Sequence, residues 1–450
     1  MARVFGTDGV RGIANVDLTP ELAYRLGRAG AYVLSGEGDP MKPFVVGRDT
    51  RLSGTMLEAA LVAGITSTGR DTVSVGIVPT PGIPRIVASI GAAGGVMISA
   101  SHNPIEDNGI KFFGPDGFKL DDATEREIER TLLRDDELPR ATHDQVGIAK
   151  TSHGLVDRYF ATLVDDGADL SGITVAVDAA FGAAYLVAPR ALARLGARVV
   201  PLHAEDDGSR INVACGSTNL GPLRERVREL TAADASAHVV GVAFDGDADR
   251  ALFVDENAEP LSGDHVMLAL AVEKKRRGKL AHDTLVGTVM SNVGLERALE
   301  AEGITLMRTA VGDRYVLEAM RAGGFTLGGE QSGHIIDFER NTTGDGPMTA
   351  ISLLSIAVRE GTTLRDLTAA MHVFPQILLN VRTNRKDVVE HEAVRQAVAR
   401  ASDALGADGR ILVRASGTEP LVRVMIEGDD RGRIERLAAE VAETVERAAQ

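Results

Sequence analysis

The sequence predicts an α/β chain: three similar mixed-sheet α/β domains plus a smaller C-terminal α+β domain, set around a central cleft. Three observations lead there. First, three stretches run from an apolar strand through Gly or small polar residues into a helical pattern. They are Phe44-Val-Val-Gly-Arg-Asp-Thr, Ile173-Thr-Val-Ala-Val-Asp-Ala-Ala-Phe-Gly and Thr284-Leu-Val-Gly-Thr-Val-Met-Ser-Asn, and such alternation reads as βα units on a largely parallel sheet. Second, each unit has a further apolar strand that ends in an unusually polar loop. Val96-Met-Ile runs into Ser99-Ala-Ser-His-Asn-Pro, Val239-Val-Gly-Val-Ala-Phe into Asp245-Gly-Asp-Ala-Asp-Arg, and Phe325-Thr-Leu into Gly328-Gly-Glu-Gln-Ser-Gly-His. Ligands of α/β sheets sit beyond the carboxyl ends of strands, so three such loops point to one shared cleft and to an imperfect structural triplication. Third, the residues beyond 370 follow another pattern.

The first helix is announced by Thr19 as N-cap and Pro20 at the first helical position, with Leu22, Leu26 and Val33 on one face and Gly36 and Gly38 as the stop. In the C-terminal part, Gln376 to Arg382 reads as a strand, Asp387 to Leu405 as a helix and Ile411 to Arg414 as a strand. The turn Ala415-Ser-Gly-Thr-Glu-Pro then leads to a strand over Leu421 to Glu427 and an amphipathic helix from Arg431. Polar or Pro/Gly-containing stretches place domains at 1–150, 151–254, 255–369 and 370–450.

Composition narrows the class of function. The chain has 450 residues, 44% of them hydrophobic, enough for several cores. Lys and Arg total 49 against 64 Asp and Glu, a net charge of −15, which argues against a nucleic-acid partner that would need a basic footprint. Trp is absent, so base-stacking platforms are not expected. A single cysteine, Cys215, excludes an intramolecular disulfide framework and fits a reducing compartment. The start, MARVFGTDGVRG, has no apolar signal core, and Met348 to Val358 is too short to span a bilayer. A soluble, cytoplasmic, multidomain protein without membrane partners is expected, and composition says nothing more about its chemistry.

Four loops carry chemistry. Asp245, Asp247 and Asp249 put three carboxylates at alternate positions, a hard-oxygen set suited to Mg²⁺ before Ca²⁺ or Mn²⁺. The spacing nearly satisfies an EF-hand, with Glu256 at position twelve, but Arg250 stands where Gly is needed and the flanks read as strands. A solvated Asp-Gly turn is the bland alternative; Arg250, a cation that could hold an anionic substrate, weighs against it. The serine loop offers two hydroxyls, Ser99 and Ser101, and reads equally as an Asn-Pro turn or as a phosphoryl carrier. A phosphoserine, with about −1.5 to −2 charge, beside three aspartates would call for a divalent cation. Arg414, Ser416, Gly417 and Thr418, with Arg423 on the next strand, read as an anion cradle, the alternative being a plain Gly hairpin. No GxxxxGK[ST] is present, so a nucleoside triphosphate is not expected. Glu330, Ser332 and His334 could bond sugar hydroxyls or an amine, or form a buried polar turn.

Together these loops, ISASHNP, FDGDADR, GEQSGH and RASGTEP in that order, resemble those of the α-D-phosphohexomutases over the whole chain. Phe5-Gly-Thr-Asp-Gly-Val-Arg-Gly, the glutamine of GEQSGH and Val311-Gly-Asp-Arg-Tyr-Val are similar to the bacterial glucosamine branch. The resemblance implies a heart-like arrangement of four domains and a phosphoserine at Ser101, with Ser99 as its competitor. It implies one Mg²⁺ per subunit on Asp245, Asp247, Asp249 and a phosphate oxygen on Ser101. Lys111 and Arg11 match residues near the transferring phosphoryl group, Glu330 and Ser332 sugar contacts, and the last loop a clamp on the distal phosphate. Ala248 departs from a common Gly without removing a ligand. The implied reaction interconverts glucosamine 6-phosphate and glucosamine 1-phosphate through a 1,6-bisphosphate. Lys111 with a lowered pKa, or His334, is the candidate base, and a kinase or hexose bisphosphate the activator; a homodimer is compatible with this reading. The alternatives are the glucose/mannose branch, in another class a metal-dependent sugar phosphatase, and a non-catalytic sugar-phosphate or Ca²⁺-binding protein, against which Ser101, the three aspartates and Lys111 weigh.

Overall fold

A computed structural model describes residues 4–6, 8–35, 42–165, 167–406, 409–416 and 420–449. The contacts divide the chain into two compact units, one of residues 1–290 and 304–369, the other of 291–303 and 370–450.

The first unit holds three sheets with one wiring. In the first, Phe44–Arg48 lies between the parallel strands Thr72–Ile77 and Gly94–Ile98, and Asp107–Phe113 adds antiparallel to Gly94–Ile98. The second repeats this with Ile173–Asp178 between Arg198–Leu202 and His238–Phe244, followed by antiparallel Ala251–Val254. The third repeats it with Thr284–Thr288 between Thr305–Thr309 and Leu327–Gly329, followed by antiparallel Ile335–Asp337. Each run is strand, helix, strand, helix, strand and then a reversal. Covering a central parallel strand on both faces demands a continuous apolar run, and Ile173–Asp178 and Thr284–Thr288 are buried at every position. The serine, acidic and sugar loops all occupy the same place, the reversal from the third strand to its antiparallel neighbour. The triplication expected from the three patterns is present as topology. The first sheet is extended by Val10–Ile13, antiparallel on Asp107–Phe113, and by Ala149–Thr151 at the opposite edge.

The first helix spans Pro20–Ser35, with the Thr19 hydroxyl accepting from the Leu22 N–H at 3.3 Å; Gly36 and Gly38 lie outside the described residues. Met348 to Val358 falls within helix Gly346–Glu360, capped by Asp345. Among the described residues no helix is long and apolar enough to cross a membrane.

In the second unit, Gln376–Arg382, Leu421–Gly428 and Gly409–Ala415 form an antiparallel sheet in that order. Val381, Val424 and Ile426 pack with Val394 and Ala401 of helix Glu392–Leu405 and with Ile434 and Val441 of helix Arg431–Ala449. The helix expected from Asp387 to Leu405 is interrupted. Residues Lys386–Glu390 form a short 3-10 turn, and His391 is extended (φ −64°, ψ 136°), its ring nitrogen accepting from the Ala393 N–H at 3.3 Å. The histidine thus takes the N-cap place usually held by Ser, Thr, Asp or Asn. Helix Val293–Ala301 belongs to this unit, tied in by Asn292, which exchanges hydrogen bonds with the backbone of Phe374 (2.9 and 3.0 Å). The buried Glu427 carboxylate accepts from the Val293 N–H at 3.3 Å and pairs with Arg410 at 2.7 Å.

Candidate active site

The serine loop and the acidic loop meet. Ser101 is 1% exposed, and its Oγ donates to Asp245 Oδ2 at 2.6 Å. Ser99 is spoken for elsewhere: its Oγ donates to Asp49 Oδ2 at 2.6 Å and accepts the Ser101 N–H at 2.9 Å. Of the two candidate hydroxyls, only that of Ser101 faces the aspartates. His102 Nδ1 is 3.3 Å from the Ser101 Oγ, and burial, with Arg250 and Arg11 nearby, pushes this imidazole down to about 4.

Asp245, Asp247 and Asp249 are all buried and place carboxylate oxygens within 4.8 Å of one another. Each has an oxygen engaged. Asp245 Oδ1 accepts from the Arg250 N–H at 3.2 Å, Asp247 Oδ2 from Thr80 Oγ1 at 2.6 Å, and Asp249 Oδ2 lies 3.4 Å from His334 Nδ1. Asp247 Oδ1 and Asp249 Oδ1 are buried without a hydrogen-bond partner. Burial, then Asp249 and Asp247, push the Asp245 carboxyl well above the ordinary carboxylate range. Orphaned oxygens amid crowded buried carboxylates need a positive charge, so this donor set fits a hard divalent cation. The EF-hand alternative is excluded by the antiparallel strands on either side and by Glu256, whose carboxylate instead accepts from the Leu364 and Arg365 N–H groups. Ala248 sits at φ +57°, a left-handed position where a glycine would be unstrained.

A chain of alternating charges runs on from this loop. Lys111 Nζ, 1% exposed, lies 2.8 Å from Asp247 Oδ2 and 2.9 Å from Asp8 Oδ2. Asp8 also pairs with Arg11 (2.5 Å) and Lys119 (2.7 Å), and Lys119 with Asp313. Arg11 reaches the serine loop, its Nη1 donating to Asn103 Oδ1 at 3.2 Å. Lys111 therefore corrects the expectation of a lowered pKa. Burial alone would lower it, but Asp247, Asp8 and Asp249 outweigh burial and raise it above the ordinary ammonium value. His334 is no freer as a base, since Nε2 accepts the Gly344 N–H at 3.2 Å while Nδ1 faces Asp249. Asp8, Lys119 and Asp313 escaped the residue-by-residue reading. Asp8 and Asp313 stood inside stretches already singled out as branch markers, whereas Lys119 left no signal.

The sugar loop lies alongside, Arg250 and His334 forming a β-bridge. Arg250 Nε and Ser332 Oγ are buried without hydrogen-bond partners, and Glu330 Oε1 accepts from the Gly312 N–H at 3.0 Å. In the second unit, Arg414 and Arg423 stand directly opposite one another on paired strands. Burial and then Arg423 lower the Arg414 pKa; like charges across a strand pair are unfavourable and suit an anion between them. The buried Ser416 donates its N–H to Leu421 O at 2.8 Å; Gly417 and Thr418 lie outside the described residues.

Comparison of the chain with known proteins points to one family. Phosphoglucomutase/phosphomannomutase sequence models cover residues 2–139 (alpha/beta/alpha domain I), 157–259 (domain II), 262–374 (domain III) and 378–444 (C-terminal domain). A phosphoglucosamine mutase of Symbiobacterium thermophilum is 51% identical over 448 residues, 99% of each chain. A solved phosphoglucomutase/phosphomannomutase family protein from Burkholderia thailandensis aligns with TM-score 0.83 at 25% identity, covering 99% of this chain and 97% of that one. The fold is shared with Aspergillus fumigatus N-acetylphosphoglucosamine mutase, solved with GlcNAc-6P and magnesium (TM-score 0.67, 18% identity, 99% and 96% covered).

Proposed function

The chain belongs to the phosphoglucomutase/phosphomannomutase family, and from that membership and the geometry of the site we propose that it interconverts glucosamine 6-phosphate and glucosamine 1-phosphate. The observation that carries the mechanism is the Ser101 hydroxyl, 2.6 Å from Asp245 and the one candidate serine turned toward the aspartates. Phosphorylated Ser101 gives its phosphoryl group to O1 of glucosamine 6-phosphate: the Oγ–P bond breaks, the O1–P bond forms, and the proton of the sugar hydroxyl ends on the Ser101 Oγ that has lost the phosphoryl group. The 1,6-bisphosphate reverses end for end; the O6–P bond then breaks, the Oγ–P bond of Ser101 re-forms, and the serine proton ends on O6, releasing glucosamine 1-phosphate. The first phosphoryl group comes from a kinase or a hexose bisphosphate.

Asp245, Asp247 and Asp249 would hold one Mg²⁺ per subunit; when bound, it supplies neutralisation of the charge on the phosphoryl oxygens. Lys111, kept protonated by its carboxylate partners, and Arg11 offer fixed positive charge where phosphoryl transfer needs stabilisation. Arg250 is aimed at an anion, and Glu330 and Ser332 bond the sugar. Arg414, Ser416, Gly417, Thr418 and Arg423 bind the non-reacting phosphate. A mutase that uses both orientations of its substrate needs such a cradle; a sugar phosphatase gives it no purpose.

Rates on glucosamine, glucose and mannose 6-phosphates test the reading, the highest kcat/KM being expected for glucosamine. Turnover confined to glucose and mannose phosphates would move the chain to the neighbouring branch, and release of inorganic phosphate as the main product would make it a phosphatase. Exhaustive chelation should stop turnover and added Mg²⁺ restore it. Full activity in the chelated enzyme would strip the acidic loop of its assigned role.

A further inference from the structure

The backbone of Ser101 is held more firmly than a surface turn requires. Its φ is +53°, a left-handed conformation that serine seldom takes. Its N–H is taken by Ser99 Oγ, and its carbonyl accepts two hydrogen bonds, from Arg51 Nη2 at 3.0 Å and from Asn212 Nδ2 at 2.9 Å. The same two side chains also reach the Asn103 carbonyl, at 2.8 and 3.3 Å. Arg51 is buried and donates further to the carbonyls of Pro104 and Asp107, while its Nε pairs at 3.1 Å with the Asp49 oxygen that accepts the Ser99 hydroxyl. Asn212 arrives from the second sheet's segment and is itself left-handed (φ +60°), a conformation asparagine tolerates. The acidic loop closes against this junction, where a Cβ on Gly246 would stand 2.6 Å from the Ser101 carbonyl oxygen and 2.9 Å from Asn212 Nδ2. Only glycine admits the three chain segments this close together. None of these bonds occupies the Ser101 hydroxyl.

We infer that Arg51 and Asn212 are positioning residues for phosphoryl transfer at Ser101, two donors from loops of different sheets that grip its carbonyl so that Oγ keeps one bearing on the acidic loop. The inference rests on the proposed role of Ser101. That oxygen must serve first as phosphoryl donor and then as acceptor while the charge it carries changes by about 1.5 to 2. A pinned backbone keeps the in-line geometry through both steps, and a misplacement of about 1 Å is enough to cost on the order of 10²-fold in rate.

Asn212→Asp tests this with little change of shape. It replaces the donor facing two carbonyls by an acceptor, and Asn212 Oδ1 has no hydrogen-bond partner to lose. Asn212→Gly keeps the left-handed backbone accessible while deleting the amide, and Arg51→Lys removes the fork but keeps the charge. The expected result in the Asn212 variants is a kcat lower by on the order of 10²-fold with KM for glucosamine 6-phosphate little changed. Phosphorylation of Ser101 by glucose 1,6-bisphosphate should slow by the same factor. Parent-like kcat in both Asn212 variants overturns the inference, as does a rise in KM alone. A phosphoryl group mapped in the parent to any residue other than Ser101 overturns the mechanistic reading, and the inference with it.

Discussion

Ser101→Ala lowers mutase turnover by on the order of 10⁴- to 10⁶-fold, the scale on which loss of a covalent carrier is felt, while the fold and sugar-phosphate binding survive. The asymmetry follows from how the residue is built in. Among the described residues its hydroxyl hydrogen-bonds with Asp245 and His102 alone, and Asp245 keeps the Arg250 N–H after the hydroxyl is gone. The loop is shaped through the Ser101 N–H and carbonyl, which alanine retains. Ser99 cannot stand in, because its hydroxyl is turned to Asp49 and the Ser101 N–H. Intact mass after incubation with a hexose 1,6-bisphosphate should show a phosphoryl group on the parent and none on the variant. Full isomerase activity in the variant would end the phosphoserine mechanism.

Lys111→Met should damage stability and catalysis together. The ammonium stands between Asp247 and Asp8, which lie 2.8 and 2.9 Å away, and is 1% exposed. A methionine fills the space but leaves two carboxylates in the interior without their cation. Breaking a buried pair by removing one partner costs about 3–5 kcal/mol. Lys119 and Arg11 still neutralise part of Asp8, so the cost should fall mainly on Asp247. Mg²⁺ should then recover part of the lost thermal stability, more than it adds to the parent, since it would supply charge to the same carboxylate. Removing a fixed cation from the transfer site should also lower kcat by on the order of 10²- to 10³-fold. An unchanged melting temperature would show that the ion pair contributes nothing, and unchanged kcat that the ammonium stands away from the reaction.

What could be read in the sequence was whatever makes a local pattern. Central strands buried on both faces write themselves as apolar runs, so Phe44–Arg48, Ile173–Asp178 and Thr284–Thr288 stood out, as did the polar loops that interrupt such runs. Ser101 against Ser99 could not be decided by residue type, because both are serines beside a buried strand; only the partner Asp49, fifty residues away, separates them. The charge chain was hidden for the same reason. Lys119 and Asp313 are 194 positions apart and Lys111 and Asp247 are 136 apart, and no periodicity announces such pairs. Without its partners, Lys111 looks like a buried ammonium with a depressed pKa; with them, its pKa is raised. Arg51 resembles an ordinary solvated arginine after a strand, and His391 an ordinary helical residue.

Chimaeras with relatives must respect the way helix Val293–Ala301 is anchored. A crossover placed at residue 370 would take away Phe374, Arg410 and Glu427 while leaving behind Asn292, Ser291 and the start of that helix, which those residues cap and bond. The grafted segment would bring a buried carboxylate in search of a helix terminus it had not evolved beside. Where the donor differs at 291–303, such hybrids should express poorly, and carrying that short stretch across with the last eighty or so residues should rescue them. Insertions and deletions accumulated in the two stretches should likewise be compensated in pairs, although 66 residues, 304 to 369, separate them in the chain.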